Sequence, residues 1–255
     1  MAVVSIGSVL LFWQLATQYK LDAYVRFNNI PTPAQVLEKV VEVNESAKFA
    51  TNIGISVRRI LLGFAVATLL GVGLGVLIGR YRWARGLTLP AMEVFRPIPA
   101  IAWVPMSIML WPSNEVSIVF ITFLGAFYTI VINVLGGARS IDVRYFQAAQ
   151  SMGSSRWDIF RRVILPGTLP SIVVGSAVGM GITWEVVVAA EMISGGGSQQ
   201  AGVGGGLGFF IWNSYVGGSY EQIVVGMISI GIAGFVSSEL LRWGGRYATP
   251  WLRQR

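Results

Sequence analysis

The chain has 255 residues, of which 54% are hydrophobic and only 12% are charged, about half the charged fraction of an ordinary globular domain. It contains no cysteine and no histidine, so disulfides, the usual zinc and haem ligand sets and Ser-His-Asp or Cys-His catalytic centres cannot be built from this chain alone. Its 19 basic residues outnumber its 12 acidic residues. In so apolar a chain this excess indicates membrane topology rather than nucleic-acid binding.

Several stretches are candidate membrane-spanning helices, since about 20 apolar residues cross a bilayer. They cover about residues 3–19, 60–79, 87–111, 116–137, 169–194 and 223–243. Prolines interrupt the third stretch. We therefore expect an all-α membrane protein with about six transmembrane helices, forming a single transmembrane domain over residues 1–255.

The loops between these stretches predict the orientation. With the amino terminus inside, the inner segments hold twelve basic and two acidic residues, and the outer segments hold six of each. The positive-inside rule then places both termini of this multi-pass membrane protein in the cytoplasm. Arg58 and Arg59 fit this orientation least well, and we expect them to lie in an interfacial turn from which long side chains snorkel.

An outer segment at 31–45 has the pattern of an amphipathic surface helix. Thr32 is a suitable N-cap, and Pro33 suits the first helical position. Such a helix either lies on the membrane or on its own bundle, or docks a partner.

Glycine recurs at four-residue spacing in two of the predicted spans. The positions are Gly71, Gly75 and Gly79 in one span and Gly175 and Gly179 in another. Small residues at this spacing let neighbouring helices approach closely. The pattern predicts a tightly packed bundle.

Two charged residues fall inside the proline-interrupted stretch, where charge is costly. Glu93 and Arg96 are three residues apart on one helix face, so they can form a structural ion pair. The segment 96–99, which reads RPIP, cannot be regular helix throughout. Because irregular backbone at membrane depth is tolerated where it lines a cavity, both residues are equally candidates for a solute pathway.

The polar segment 138–168 predicts a helical hairpin. Asp142 can cap a first helix, Gly153 can end it, and Ser155 with Asp158 forms a capping box for a second helix. Pro166 is expected to stop that second helix before the next span begins.

The hairpin carries two distinctive surfaces. Ala148 and Ala149 leave one side of its first helix bare, and Trp157, Phe160 and Ile164 fall on one face of its second helix. These surfaces suit either a structural elbow that packs on its own bundle or a docking device for a cytoplasmic partner.

The span 169–194 adds further pathway candidates near its outer end. Glu185 and Glu191 are charges at membrane depth, and Trp184 is either a packing residue or a gate. The loop that follows, 195–208, is rich in glycine but contains no lysine and no phosphate-loop motif. We interpret it as a flexible outer loop.

Gln147, Ala148 and Ala149, followed by Gly153 and by 163–166 (VILP), resemble the "EAA" loop of bacterial ABC importer permeases. The spacing of that family pattern is matched in full. Gln147 replaces the usual glutamate of the pattern, and the first position of 163–166 is valine in place of isoleucine.

Other segments resemble the nitrate, sulfonate, taurine and bicarbonate group of these permeases. They are FRPIP at 95–99, AWVP at 102–105, Trp184 followed by VAAE at 188–191, and GFFIW at 208–212. The resemblance implies the permease fold of type I ABC importers, the MetI-like fold, with a cytoplasmic coupling-helix hairpin at 138–168.

The resemblance also implies a function and partners. The chain would be the non-catalytic membrane subunit of an importer for a small anion, assembled as a homodimer with two ABC ATPase subunits and an extracytoplasmic solute-binding protein in membrane lipid, without nucleic acid. No cofactor would bind this chain, since ATP and Mg would belong to the ATPase. The implied ATPase-coupling residues are Gln147, Ala148, Ala149, Gly153, Trp157, Leu165 and Pro166. The candidate pathway residues are Glu93, Arg96, Trp184, Glu185 and Glu191.

Two other classes of function remain open from the sequence. One is an ion-coupled secondary transporter or channel, against which the hairpin and the lack of a clear inverted repeat both count. The other is a membrane anchor or assembly factor without a pathway.

Overall fold

The structure is a computed structural model that describes residues 1–21, 27–194 and 205–251. The α-helices are α1 (Ala2–Gln18), α2 (Pro33–Asn44), α3 (Ala47–Arg80), α4 (Arg82–Phe95), α5 (Val104–Leu110), α6 (Asn114–Ser140), α7 (Val143–Ser151), α8 (Arg156–Ile159), α9 (Leu165–Ile193), α10 (Leu207–Val216) and α11 (Tyr220–Ala248). Single turns of other helix types lie at Phe27–Asn29, Ala100–Trp103 and Phe160–Ile164. No strand occurs among the described residues, and the predicted all-α fold is confirmed.

Four helical segments are long and apolar enough to cross a membrane, with mean hydropathies of 1.8 to 2.4. They are Ala47–Arg80, Asn114–Ser140, Arg156–Ile193 and Tyr220–Ala248. Two shorter apolar helical segments, Val4–Gln18 and Ala100–Leu110, lie within the first and third stretches singled out in the sequence. The chain is therefore a multi-pass membrane protein.

Packing of the backbone divides the chain into two compact units. The first unit contains Met1–Val57 and Glu191–Ile232, and the second contains Arg58–Ala190 and Ala233–Arg255. The long helices α3, α9 and α11 contribute residues to both units.

In the first unit, α2 is the amphipathic helix that the sequence predicts. The Thr32 hydroxyl accepts a hydrogen bond from the backbone N–H of Gln35, and the Gln35 side chain accepts one from the backbone N–H of Thr32, at 3.3 and 2.8 Å. This reciprocal capping satisfies two donors of the first helical turn. Val36 and Val43 are the buried residues of its apolar face.

In the second unit, glycines of α3 allow close contact with α6. A Cβ atom placed on Gly75 would lie 2.7 Å from the Cβ of Val134, and one placed on Gly79 would lie 2.6 Å from that of Ala138. No side chain larger than hydrogen fits there without a shift of one helix. The predicted close approach of the spans is confirmed at these positions.

Arg59 departs from the expectation that it snorkels. Its side chain is only 1% exposed, and its guanidinium pairs with the carboxylate of Glu115, with Nε 3.1 Å from Oε2. Arg58, its neighbour, is exposed. The predicted turn was wrong for both arginines, because they lie inside α3. Arg59 is buried rather than snorkelling because a carboxylate 56 positions along the chain compensates its charge.

The proline-rich stretch is a broken helix. Helix α4 ends at Phe95 because Pro97 has no N–H to donate to the carbonyl four residues earlier. A single 3₁₀ turn follows at Ala100–Trp103, and α5 begins at Val104 with Pro105 in its first turn. Residues 96–99 are consequently outside regular helix.

The caps of the predicted hairpin are confirmed. An oxygen of Asp142 accepts a hydrogen bond from the backbone N–H of Arg144 at 2.8 Å, and α7 follows. Gly153 has φ +73°, a conformation that suits glycine. Ser155 and Asp158 form the capping box of α8.

Pro166 does not end the second helix of the hairpin. Residues 156–193 run as one helical segment, through α8, a π-helical turn at Phe160–Ile164 and α9. The expected stop at Pro166 was wrong because the wider π turn directly before it accommodates the missing N–H and the ring.

Candidate functional site

A cavity of about 440 Å³ lies in the second unit. Helices α6 and α9 and the irregular segment after α4 form its walls. Its polar lining residues are Arg96, Tyr128, Thr129, Asn133 and Glu185. The cavity brings together two of the predicted pathway residues, Arg96 and Glu185.

The broken helix positions Arg96. This residue caps the C-terminus of α4, and its backbone N–H donates to the carbonyl of Met92 at 2.8 Å. The chain from Ile98 to Ile101, together with Trp103, then borders the cavity. Irregular backbone here lines a cavity, as the sequence predicts for this depth of a membrane protein.

Sequence reasoning missed the polar residues that α6 contributes. Tyr128, Thr129 and Asn133 line the cavity from one helix. The amide nitrogen of Asn133 donates to the Thr129 carbonyl at 2.8 Å, which holds the side chain against its own helix. The available signal was three hydrogen-bonding side chains within six residues of an otherwise apolar span.

The arrangement can bind a small polar solute. Arg96 offers a guanidinium, Glu185 offers a carboxylate, and the α6 residues offer neutral donors and acceptors. A guanidinium binds oxyanions through paired N–H groups, and a carboxylate in the same cavity adds a site for a cationic group.

Glu93 does not line this cavity. Its side chain is exposed, and no ion pair joins it to Arg96 in the described part of the chain. The structure thus keeps apart the two residues whose pairing the sequence allowed.

Trp184 packs inside the second unit. Its side chain is 4% exposed, its indole N–H donates to the Ser237 hydroxyl at 3.0 Å, and Gly234 lies against its ring. This environment agrees with the packing interpretation of Trp184, and the gate stays a prediction.

Glu191 belongs to the first unit, where it is fully buried. Its carboxylate accepts hydrogen bonds from the Ser56 hydroxyl at 2.8 Å and from the backbone N–H of Gly208 at 2.9 Å. A carboxylate at 0% exposure with these partners has no surface to offer a solute. Glu191 does not line the cavity that Arg96 and Glu185 share, and its pathway role stays a prediction.

The glycine-rich loop falls mainly on 195–204, which lies outside the described residues. Its last part contacts the residues around Glu191, since Gly208 donates to the Glu191 carboxylate. Gly206 has φ +88°, its backbone N–H donates to the Asn52 side chain at 3.2 Å, and α10 begins at the next residue.

The hairpin has one buried and one exposed face. Ala149, Ile159 and Ile164 form its buried cluster, against which Val76 of α3 packs. The exposed residues on the other side include Gln147, Ala148, Met152, Gly153 and Trp157, with Trp157 67% exposed. The buried face agrees with the structural elbow, and the exposed face is the one available for docking a partner.

The coupling residues that the resemblance implies do not all lie on the exposed face of the hairpin. Ala149 is only 7% exposed and belongs to the buried face, so within this chain it contributes to packing. The face predicted from Trp157, Phe160 and Ile164 is divided, because Trp157 stacks on Phe160 with centroids 5.4 Å apart while Ile164 is buried. Leu165 remains 38% exposed beside the partly buried Pro166.

Comparison with known proteins identifies similar chains. Residues 67–254 match the family described as binding-protein-dependent transport system inner membrane component. The taurine transport system permease protein TauC of Escherichia coli is 32% identical over 257 residues, covering 97% of this chain and 89% of TauC. The nitrate import permease protein NrtB of Synechocystis is 30% identical over 242 residues, covering 91% and 83%.

A solved structure shares the fold. The matched chain comes from the crystal structure of a bacterial alginate ABC transporter in complex with an alginate pentasaccharide-bound periplasmic protein. It aligns with a TM-score of 0.66 at 14% identity and covers 97% of this chain and 94% of that chain. At that identity the likeness shows the fold.

Proposed function

Because the chain belongs to the family of binding-protein-dependent transport system inner membrane components, we propose that it forms the pathway of an ATP-driven importer for a small anion. The anion is of the nitrate or bicarbonate kind, or of the sulfonate or taurine kind. The relatives named for nitrate and taurine import support this range of solutes.

The observation that carries the proposal is Arg96 in a cavity bordered by the broken helix. From the sequence, three carboxylates could have repelled an anion at this site. They belong to Glu93, Glu185 and Glu191. Only Glu185 borders the cavity, so one negative charge faces one positive charge. This balance supports an anion or a zwitterion such as an aminosulfonate.

The hairpin supports coupling to a separate ATPase. Its exposed face presents Ala148, Met152 and Trp157 around a turn at Gly153, while its buried face ties it to α3. A partner that moves this hairpin would thereby move α3, against which it packs, and α9, with which it is continuous. Two copies of the chain, two ATPase subunits carrying ATP and Mg, and an external solute-binding protein complete the proposed assembly.

The basic residues support the proposed orientation. Twelve of them fall in the segments assigned to the inside, against six outside. Both termini and the hairpin then lie in the cytoplasm, where the ATPase would bind.

Removing the exposed tryptophan of the hairpin tests the coupling. We expect Trp157→Ala to lower ATP-driven uptake by proteoliposomes that contain the chain, its ATPase and its binding protein, while the ATPase still hydrolyses ATP. Trp83→Ala is a matched control, since Trp83 is 65% exposed on α4, outside the hairpin. Equal loss of uptake in the two variants would contradict the docking role.

Changing the two cavity charges separately tests the pathway. Arg96→Gln should lower uptake of nitrate and of taurine alike, because both carry an anionic group. Glu185→Gln should lower uptake of taurine only, because only taurine carries an ammonium group. Uptake unaffected by either change would show that the cavity is not the pathway.

A further inference from the structure

A second concave surface, the α3 groove, lies in the second unit and has a volume of about 620 Å³. It runs along the last two turns of α3 toward the hairpin. Its apolar lining includes Val72, Val76, Leu77, Ile159, Phe160 and Leu165. Gly73 faces the open part of the groove, since a Cβ placed there would have nothing within 4 Å.

One end of the α3 groove is basic. Arg80, at the end of α3, and Arg156, at the start of α8, both line it, and no carboxylate does. Neither arginine forms an ion pair within the ranges that the structure describes. Tyr81 and Gln150 add neutral hydrogen-bonding groups at the same end.

Arg80 is held in place by aromatic rings. Its guanidinium carbon lies 5.5 Å from the centroid of the Phe146 ring and 5.8 Å from that of Tyr81. Such cation–π contacts orient the side chain and leave N–H groups available at the ring edges. The cationic end is therefore partly organised before any ligand binds.

The sequence around Arg80 places this end at a membrane interface. Helix α3 has a mean hydropathy of 2.4 in its apolar window and reaches its end at Arg80. The next residues include Tyr81 and Trp83, which are exposed and have ring centroids 6.2 Å apart. Exposed tyrosine and tryptophan gather at the headgroup level of a bilayer, so the apolar lining lies at acyl-chain depth and the two arginines at phosphate depth.

We propose that the α3 groove is a binding site for a phospholipid with an anionic headgroup. The acyl chains lie along Val72, Val76 and Leu77, and the phosphate lies between Arg80 and Arg156. The apolar part of the groove belongs to a membrane-spanning helix, whose surroundings are lipid, and the unpaired arginines select negative charge. Only the choice of the cytoplasmic leaflet rests on the proposed function.

This site would join two parts of the second unit through one ligand. Arg80 belongs to α3, whereas Arg156 begins the second helix of the hairpin. A phosphate between them reduces the repulsion of two cations and holds the hairpin against α3. The hairpin is then most firmly placed in a membrane rich in anionic lipid.

Lipid binding to the purified chain in detergent tests the proposal without any ATPase or transport step. Native mass spectrometry with phosphatidylglycerol and with phosphatidylcholine of the same acyl chains gives the two affinities. We expect phosphatidylglycerol to bind about tenfold more tightly, and R80Q/R156Q to remove that preference. R82Q/R161Q is the matched control, because it removes the same charge from exposed arginines outside the groove.

A second variant tests the position of the acyl chains. Gly73→Trp fills the open part of the groove without changing charge and should weaken phosphatidylglycerol binding. A Val76→Cys crosslink between two chains would instead identify a second copy as the occupant, and the native chain has no cysteine to confuse the result. That crosslink, equal binding of the two lipids, or equal losses in the two arginine pairs would each overturn the proposal. Loss of transport alone would not overturn the proposal.

Discussion

The hydroxyl oxygen of Ser56 lies 2.8 and 2.9 Å from the two carboxylate oxygens of Glu191, a residue 135 positions away in the sequence. Both side chains are fully buried in the first unit. The same hydroxyl accepts a hydrogen bond from the backbone N–H of Leu207 at 2.8 Å, and Glu191 accepts one from Gly208. Two donors in the first turn of α10 are thus satisfied by side chains from α3 and α9.

Removing the Glu191 carboxylate should destabilise the first unit. Glu191→Ala leaves the Ser56 hydroxyl and the Gly208 N–H without this acceptor, and each unsatisfied buried group costs about 1–3 kcal/mol. Glu191→Gln keeps one oxygen and should cost less. Thermal unfolding in detergent gives the melting temperatures of the two variants. Glu185→Gln is the control, because Glu185 is exposed on the same helix. Equal melting temperatures for all variants would show that the cluster contributes nothing to stability.

Gly206 should tolerate substitution less well than Gly218. Gly206 has φ +88° and ψ −179°, a region that is essentially restricted to glycine, and Gly218 has φ +72°, so alanine at either position costs about 1–3 kcal/mol of backbone strain. A Cβ on Gly206 would also collide with the Glu191 carboxylate, whereas one on Gly218 would meet nothing within 4 Å. We predict a larger fall in melting temperature for Gly206→Ala. Similar falls would mean that only the backbone conformation matters.

Arg59→Lys should destabilise the second unit although the charge is kept. Arg59 binds Glu115 through more than one guanidinium nitrogen, a geometry that an ammonium group cannot reproduce. A hydrogen bond between charged groups contributes about 1.5–3 kcal/mol. Arg58→Lys is the adjacent control, since Arg58 is exposed. Thermal unfolding compares the two, and an unchanged melting temperature for Arg59→Lys would exclude a specific role for the guanidinium.

Gly75→Ala should separate α3 from α6 in the second unit. The added methyl group would meet the Cβ of Val134 at 2.7 Å, and overpacking of this kind costs about 1–3 kcal/mol. Gly136→Ala, on α6 with nothing within 4 Å, should instead stabilise its helix by about 0.5–1 kcal/mol. Thermal unfolding of the two variants gives shifts of opposite sign if the glycine of α3 is a packing residue.

The sequence predicted features that depend on local chemistry. Thr32, Asp142 and Gly153 act as caps or breaks through neighbours a few residues away, so their identity and spacing were sufficient. The α3 glycines were equally informative because the spacing of small residues is itself the packing signal.

Long-range partners could not be predicted in this way. The pairing of Arg59 with Glu115 and of Glu191 with Ser56 depends on which helices meet, and one unaligned sequence does not contain that information. Charge at membrane depth therefore identified Glu191 as unusual and as a pathway candidate, but it could not reveal the buried partners that satisfy its carboxylate. Pro166 was misjudged for another reason, since the π turn before it has no recognised signal in the local sequence.

ATP-dependent uptake tests the central claim most directly. The chain, its ATPase and its solute-binding protein are reconstituted in proteoliposomes, and entry of labelled nitrate or taurine is followed with ATP supplied on the ATPase side. We predict uptake that needs all three proteins and ATP, persists when ion gradients are collapsed, and falls in Arg96→Gln. Uptake by the chain alone, driven by an ion gradient and indifferent to ATP, would contradict the proposed importer and support a secondary transporter.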